Sequence, residues 1–214
     1  MTPAQIILEA RMILQDVASP QRYSDAILLG FVNQSVKRMA ILRPDIFAVI
    51  GEIPTVAGTV LQSTPVDSVR LMEIFSVKDG HGVTEVNRKA MDQNYPQWVS
   101  DPEGPTVNWM RHPRNANKFF VYPKAPEDQV LIGEYTVSPP EYNMGDEIDY
   151  VPSAYYPVLV DGVVFLAESV DDEHVNNNRA QMYQQMFTQA LGVSLDSRIA
   201  TDTDDAGLGK ETLP

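Results

Sequence analysis

The apolar positions change period twice along the chain, and each change marks a change of element. From Pro3 onward, Ile6, Ile7, Ala10, Ile13, Leu14 and Val17 recur at helical spacing, the stripe of an amphipathic helix. Thr2 provides its N-terminal cap, and Pro3 falls in the first turn, where the missing N–H costs nothing. Ser19-Pro20 ends this pattern. Ser24 caps a second helix, Asp25 favours its positive end, and Leu28, Phe31, Val32, Val36 and Met39 make its stripe. Pro44 stops it, because the residue before a proline avoids helical dihedrals. The short link between the two helices predicts an αα-hairpin.

From Val49 the period shortens. Val49, Ile53, Val56, Val60 and Leu61 stand among Gly51, Pro54, Gly58 and Pro65, which predicts short strands and turns. Val69 to Val77 is the clearest strand. Strict alternation places Val69, Leu71, Glu73, Phe75 and Val77 on one side, and Arg70, Met72, Ile74 and Ser76 on the other. Lys78-Asp79-Gly80-His81-Gly82 predicts a hairpin turn after it. Residues 88–112 read as irregular, with prolines at Pro96, Pro102, Pro105 and Pro113. Lys118 to Tyr122 and Val130 to Val137 are further strands, and Pro139-Pro140 closes the region.

Helical grammar then returns. Ser153 reads as the cap of a third helix, with Pro157 tolerated in its first turn. Tyr155 to Val170 is apolar almost all round, broken only by Asp161 and Glu168 on one narrow face. Two buried strands would share this composition, but about sixteen residues without a turn favour helix. Such a helix is buried in a bundle or covered by another chain. A fourth helix runs to Leu191, with Met182, Met186 and Ala190 beside Tyr183, Phe187 and Leu191 as one broad stripe, and Gly192 stops it.

Helices at both ends with strands between predict an α+β chain. The expected organisation is a helical bundle from residues 1–47 and 153–192, a β-rich insertion at 48–152, and a C-terminal arm at 193–214. The arm is polar, with isolated Leu195, Ile199, Leu208 and Leu213, and is expected to stay mobile until a partner orders it.

Charge bears on partners. The 16 basic and 29 acidic residues give a net charge of −13, the wrong sign for gripping nucleic acid through its phosphates. The basic residues do not cluster. Residues 1–50 carry five basic against four acidic side chains, 51–152 eight against fifteen, and 153–214 three against ten. The acidity therefore lies outside the first hairpin. The absence of cysteine removes disulfides, cysteine metal sites and thiol catalysis. The N-terminus does not read as a secretory signal, and Val158 to Ala167, interrupted by Asp161, reads as too short to span a bilayer.

Candidate chemistry is sparse. His81 reads as a turn residue and His112 as a loop residue. No histidine pair has the helical spacing of a zinc site. Asp171-Asp172-Glu173-His174 reads as a solvated helix junction, since adjacent helical residues point different ways. Asp202 to Gly207 imitates a calcium loop but fails at Ala206 and Leu213. Gly80-His81-Gly82 is not followed by the Gly-Lys of a phosphate loop. Tyr95, Trp98 and Trp109 read as a satellite core under a long loop, with a ligand groove as the alternative. No catalytic, cofactor or metal residue is assigned, and the chain is not read as an enzyme.

Several stretches, in order, resemble the head-to-tail adaptor (connector) proteins of tailed bacteriophages. They are AQIILEARMILQD and RYSDAILLGFVNQSVKRMAILRPD at the start, KFFVYPKAP at 118–126, then YYPVLVDGVVFLAESVDDEH and RAQMYQQMFTQALGV. The resemblance covers about residues 3–193. It implies a helical bundle with a β-rich insertion, assembled as a ring, commonly of twelve copies, beneath the capsid portal. It implies a virion component assembled in the host cytoplasm that extends the DNA channel and receives the tail nozzle or tube. DNA passes without specific binding, and no membrane or cofactor is involved. The C-terminal arm, through Leu195, Ile199, Leu208 and Leu213, is expected to reach the portal, and Tyr155, Tyr156, Val163 and Phe165 to pack between subunits. A monomeric regulatory or binding module is the alternative. An enzyme using Asp92, Asp101 or Glu103 is a further one.

Overall fold

The computed structural model describes residues 1–18, 22–170 and 177–192. In chain order the elements are α1 (Pro3–Leu14), α2 (Asp25–Leu42), β1 (Ala48–Pro54), β2 (Leu61–Ser63), β3 (Ser68–Val77), β4 (Thr84–Glu85), α3 (Arg88–Asn94), β5 (Asn108–Arg111), β6 (Lys118–Tyr122), β7 (Val130–Val137), α4 (Tyr156–Val170) and α5 (Asn177–Ala190). The chain is α+β, and it divides into two compact units. One contains Met1–Ile46 and the chain from Pro139 onward; the other is Phe47–Ser138.

In the helical unit, the ends of α1 and α2 are set by local chemistry. Thr2 and Gln5 form a reciprocal capping box on α1, and the Ser24 hydroxyl accepts from the Ile27 N–H to cap α2. α1 closes on Gln15 in the left-handed region, φ 58°, so Val17 leaves the stripe and is exposed. The link beyond is organised by a buried cation. Arg11 donates to Asp16 and Asp25, both at 2.6 Å, and to the Tyr23 carbonyl at 3.0 Å. Asp16 in turn accepts from the Arg22 and Tyr23 N–H groups. Arg11 and Asp16 are almost fully enclosed.

α4 packs against α1, α2 and α5. It opens through a 3-10 turn, Ser153–Tyr155, whose cap position is Pro152; no side-chain cap is formed, so Ser153 does not play the expected role. Three polar contacts tie the helices beyond their apolar faces. The Tyr23 hydroxyl donates to the Ala167 carbonyl at 2.8 Å, and Arg179 pairs with the buried Glu168 at 3.3 Å while donating to the Ile13 carbonyl. Gly162 lets α4 approach α2 and α5 closely: a Cβ there would lie 2.8 Å from Ser35 Oγ and 3.0 Å from Phe187 Cε2. The expected broad stripe on α5 is narrower. Ala180, Phe187 and Leu191 are buried, whereas Met182, Met186 and Ala190 face outward. Ser153–Val170 has the length and mean hydropathy, 1.2, of a bilayer-crossing segment, but half of it is buried inside the chain, as in the core helix of a soluble fold.

The β-rich unit holds two sheets, β1-β7-β3 and β2-β6-β5-β4. Ile53, Leu71, Ile74, Trp109, Phe119, Val121 and Leu131 fill its core. The simple alternation expected for β3 fails. Leu71 and Ile74 are both buried, three residues apart, while Val69 and Phe75 are exposed. The cause is three register shifts along the β3–β7 ladder; each bulge moves the following side chains to the other face. The turn after β3 forms as a hairpin, with Ser76 bridged to Gly82 and Asp79 left-handed. Residues 88–112 are more regular than expected, containing α3, a 3-10 turn at Trp98–Ser100, and β5.

The boundary expected at 152 lies at Ser138/Pro139 instead. Residues 139–150 are bound to the first helices by hydrogen bonds that carry no sequence periodicity. Asn33 exchanges two with the Tyr142 backbone, Ala4 N–H donates to Met144, and Ile148 N–H donates to Met1.

Candidate assembly surfaces

Of the residues expected to pack between subunits, Val163 lies wholly inside its own chain, beside Leu159, Val160 and Val164 in the α4 core. It offers no surface to a second copy. The apolar wheel of α4 is consumed mainly by intramolecular packing. Tyr155, Tyr156 and Phe165 remain half-buried and keep part of their surface open. The arm residues Leu195, Ile199, Leu208 and Leu213 lie outside the described residues.

Two surfaces that periodicity did not single out stand open on the helical unit. The outer side of α1 carries Leu8 and Met12, 58% and 61% exposed. With Gln5, Glu9 and Tyr156 they line a groove of about 460 Å³. The Tyr156 hydroxyl donates to the Gln5 carbonyl at 3.0 Å. Burial pushes the Tyr156 phenol up to about 12, and a hydrogen bond with Glu9 adds to it. Nearby on α4, burial raises the Asp161 carboxyl above the usual range, and the charge of Glu9 raises it further. Neither Glu9 nor Asp161 forms an ion pair with a cation among the described residues.

The second surface is the outer face of α2. Ile27, Gln34, Arg38 and Ile41 share one side, with Ile27 and Ile41 at 47% and 69% exposure. Arg38 lies over the Phe165 ring, 5.2 Å from its centroid. Gly30 sits on the same side, and a Cβ built there meets nothing within 4 Å among the described residues. The sequence signal for both surfaces was present but weak: apolar residues at i and i+4, or i and i+14, standing off the main stripe.

In the β-rich unit, polar residues near the aromatics serve structure. Asp101 accepts from the Tyr95 and Tyr122 hydroxyls at 2.9 and 2.8 Å; this carboxylate pushes the Tyr122 phenol up to about 12. Asp92 accepts from Trp98 Nε1 at 2.9 Å, and Glu103 forms a strand bridge with Lys124. Trp98 is buried and packs edge-on against Phe120, Trp109 lies in the main core of the unit rather than in a satellite of it, and Tyr95 is exposed. His81 contacts the Thr106 carbonyl at 2.8 Å, and His112 Nδ1 accepts from the Arg114 and Asn115 N–H groups. Among the described residues no three His, Cys, Asp or Glu side chains gather as a metal site. The stretches at 171–174 and 202–207 lie outside those residues.

Comparison with curated proteins finds no match to the chain. Comparison with protein families matches residues 1–208 to the SU10 adaptor protein family. That match spans nearly the whole sequence and agrees with the phage adaptor resemblance carried by the helices at both ends and by residues 118–126. The chain belongs to the SU10 adaptor protein family, whose members are structural adaptors of phage virions.

Proposed function

We propose that the chain is the head-to-tail adaptor of a tailed phage: a ring, twelve copies on the family resemblance, seated beneath the portal. The ring extends the DNA channel and receives the tail nozzle or tube. α1, α2, α4 and α5 act in it as one bundle, with Tyr155, Tyr156 and Phe165 at or near subunit contacts. The segment 193–214 docks on the portal through Leu195, Ile199, Leu208 and Leu213. Assembly takes place in the host cytoplasm.

The observation that carries this reading is family membership over residues 1–208, joined to two open helical faces that expose apolar side chains on one unit. Two different faces on one subunit make a head-to-tail contact, which generates a closed ring when the rotation per subunit divides a full turn. The net charge of −13 suits a channel wall that repels phosphates and does not hold DNA.

The test is electron microscopy of the purified chain mixed with its portal ring. A ring of adaptor density beneath the portal is expected. A chain lacking residues 193–214 should bind the portal weakly or not at all. If it binds with full affinity, the portal contact comes from the helices or the β-rich unit. If the full chain never associates with portal, the adaptor assignment itself fails.

A further inference from the structure

The ring reading leaves open which surfaces of neighbouring subunits meet, and the next step rests on that reading. We infer that the outer face of α2 in one copy docks into the α1–Tyr156 groove of the next copy.

Four observations converge. First, Gly30 stands inside an eighteen-residue helix, where glycine is costly, and no described residue occupies the space its side chain would take. The packing that explains Gly162 is missing there. An open notch on an exposed face accommodates a side chain arriving from outside. Second, that face ends in Ile27 and Ile41, while the groove presents Leu8 and Met12, so both partners bring apolar anchors. Third, the charges complement. The groove side carries Glu9 and Asp161 without a cation, and the α2 face carries Arg38, which has no carboxylate partner among the described residues. Arg38 reaching those carboxylates would form the charge-assisted contact that fixes register between subunits. Fourth, the two faces are different, as a ring requires.

The segment 193–214 is the other occupant to weigh. It carries Arg198 and Lys210 against Asp196, Asp202, Asp204, Asp205 and Glu211. Its sign repeats that of the groove, so the α2 face is the better fit.

Charge exchange tests the contact. Arg38→Glu places acid against acid at every interface; Glu9→Arg places base against base. Each variant alone should assemble at least about tenfold more weakly than wild type, read by mass photometry with and without portal rings. Mixed in equal amounts, the two should recover assembly, because alternating subunits then pair opposite charges at every interface. Both positions are exposed, so melting temperatures should stay near wild type. Gly30→Trp should fold, yet block assembly, and neither charge variant should rescue it.

If each charge variant assembles like wild type, or if the mixture fails to recover, the contact is wrong while the ring reading stands. If wild type forms no ring on the portal, both fall together. A spin label at Met12→Cys separates the remaining occupant, since the chain has no other cysteine. The label should be immobilised on assembly of wild-type subunits and should not respond to deletion of 193–214 in the monomer. A response in the monomer would place that segment in the groove and overturn the contact.

Discussion

Gly30 and Gly162 are both helix-interior glycines, and the same substitution at each should have opposite effects on stability. In isolation, Gly→Ala gains roughly 0.8–1 kcal/mol by restricting the unfolded chain and favouring the helix. At Gly30 no described residue opposes this, because a Cβ meets none of their atoms within 4 Å. At Gly162 the new methyl falls 2.8 Å from Ser35 Oγ, 3.0 Å from Ser35 Cβ and 3.0 Å from Phe187 Cε2. The hydroxyl is held by its bond to the Phe31 carbonyl at 2.8 Å, and Ser35 Cβ cannot rotate away. The helices must therefore separate, at the usual overpacking cost of about 1–3 kcal/mol. With three contacts this short the upper half of that range applies. The helix gain then leaves Gly162→Ala destabilised by up to about 2 kcal/mol.

At about 2–4 °C per kcal/mol for a chain of this size, Gly30→Ala should melt up to about 4 °C above wild type and Gly162→Ala up to about 8 °C below it. Circular dichroism melts and urea titrations at low protein concentration read both without assembly. Adding Ser35→Ala to Gly162→Ala should recover part of the loss, since it removes the 2.8 Å contact and leaves the one to Cβ; a double-mutant cycle isolates that coupling. If Gly162→Ala is as stable as wild type or more stable, the close packing of α4 against α2 and α5 is refuted.

Arg11→Ala should cost about 3–5 kcal/mol in urea unfolding, because it strands Asp16, buried beside it, without its cation. Val163→Asp should unfold the helical unit, whereas Phe165→Asp, at a half-buried position, should keep a cooperative melt. Asp161→Asn should stabilise the protein at pH 7. The folded carboxyl is raised above its unfolded value, so Asp161 favours folding only while protonated, and that contribution fades as pH rises through the folded value; the difference between variant and wild type should vanish near and below pH 4, where a free carboxyl is itself protonated. Asp45 has the opposite sign: its hydrogen bond to Arg43 lowers the carboxyl, so wild type should lose that contribution in acid, as a pH series against Asp45→Asn will read.

The local features of the fold were legible in the sequence. Thr2 with Gln5, Ser24 and Pro44 mark helix ends by hydrogen bonds and dihedral limits that reach only three or four residues. The buried side of α2, Leu28 to Met39, follows from one periodicity, because a single stripe meets a single core. Family resemblance was readable for the same reason, being carried by short segments in order, helical at both ends and a strand and turn at 118–126. What depended on a partner distant in sequence was not legible. The faces of β3 shift with bulges set by its pairing to β7, more than fifty residues away. Arg11 and Asp16 look like surface residues until the link to α2 closes over them. The unit boundary moved to Pro139 because Asn33 pairs with the backbone of Tyr142, a bond that leaves no pattern. The α5 stripe narrowed because the described neighbours bury Ala180, Phe187 and Leu191 and half-cover Tyr183, leaving Met182 and Met186 open. The open faces of α1 and α2 needed the tertiary structure as well, since hydrophobicity shows what can be buried, and only packing shows which of it still waits for a partner.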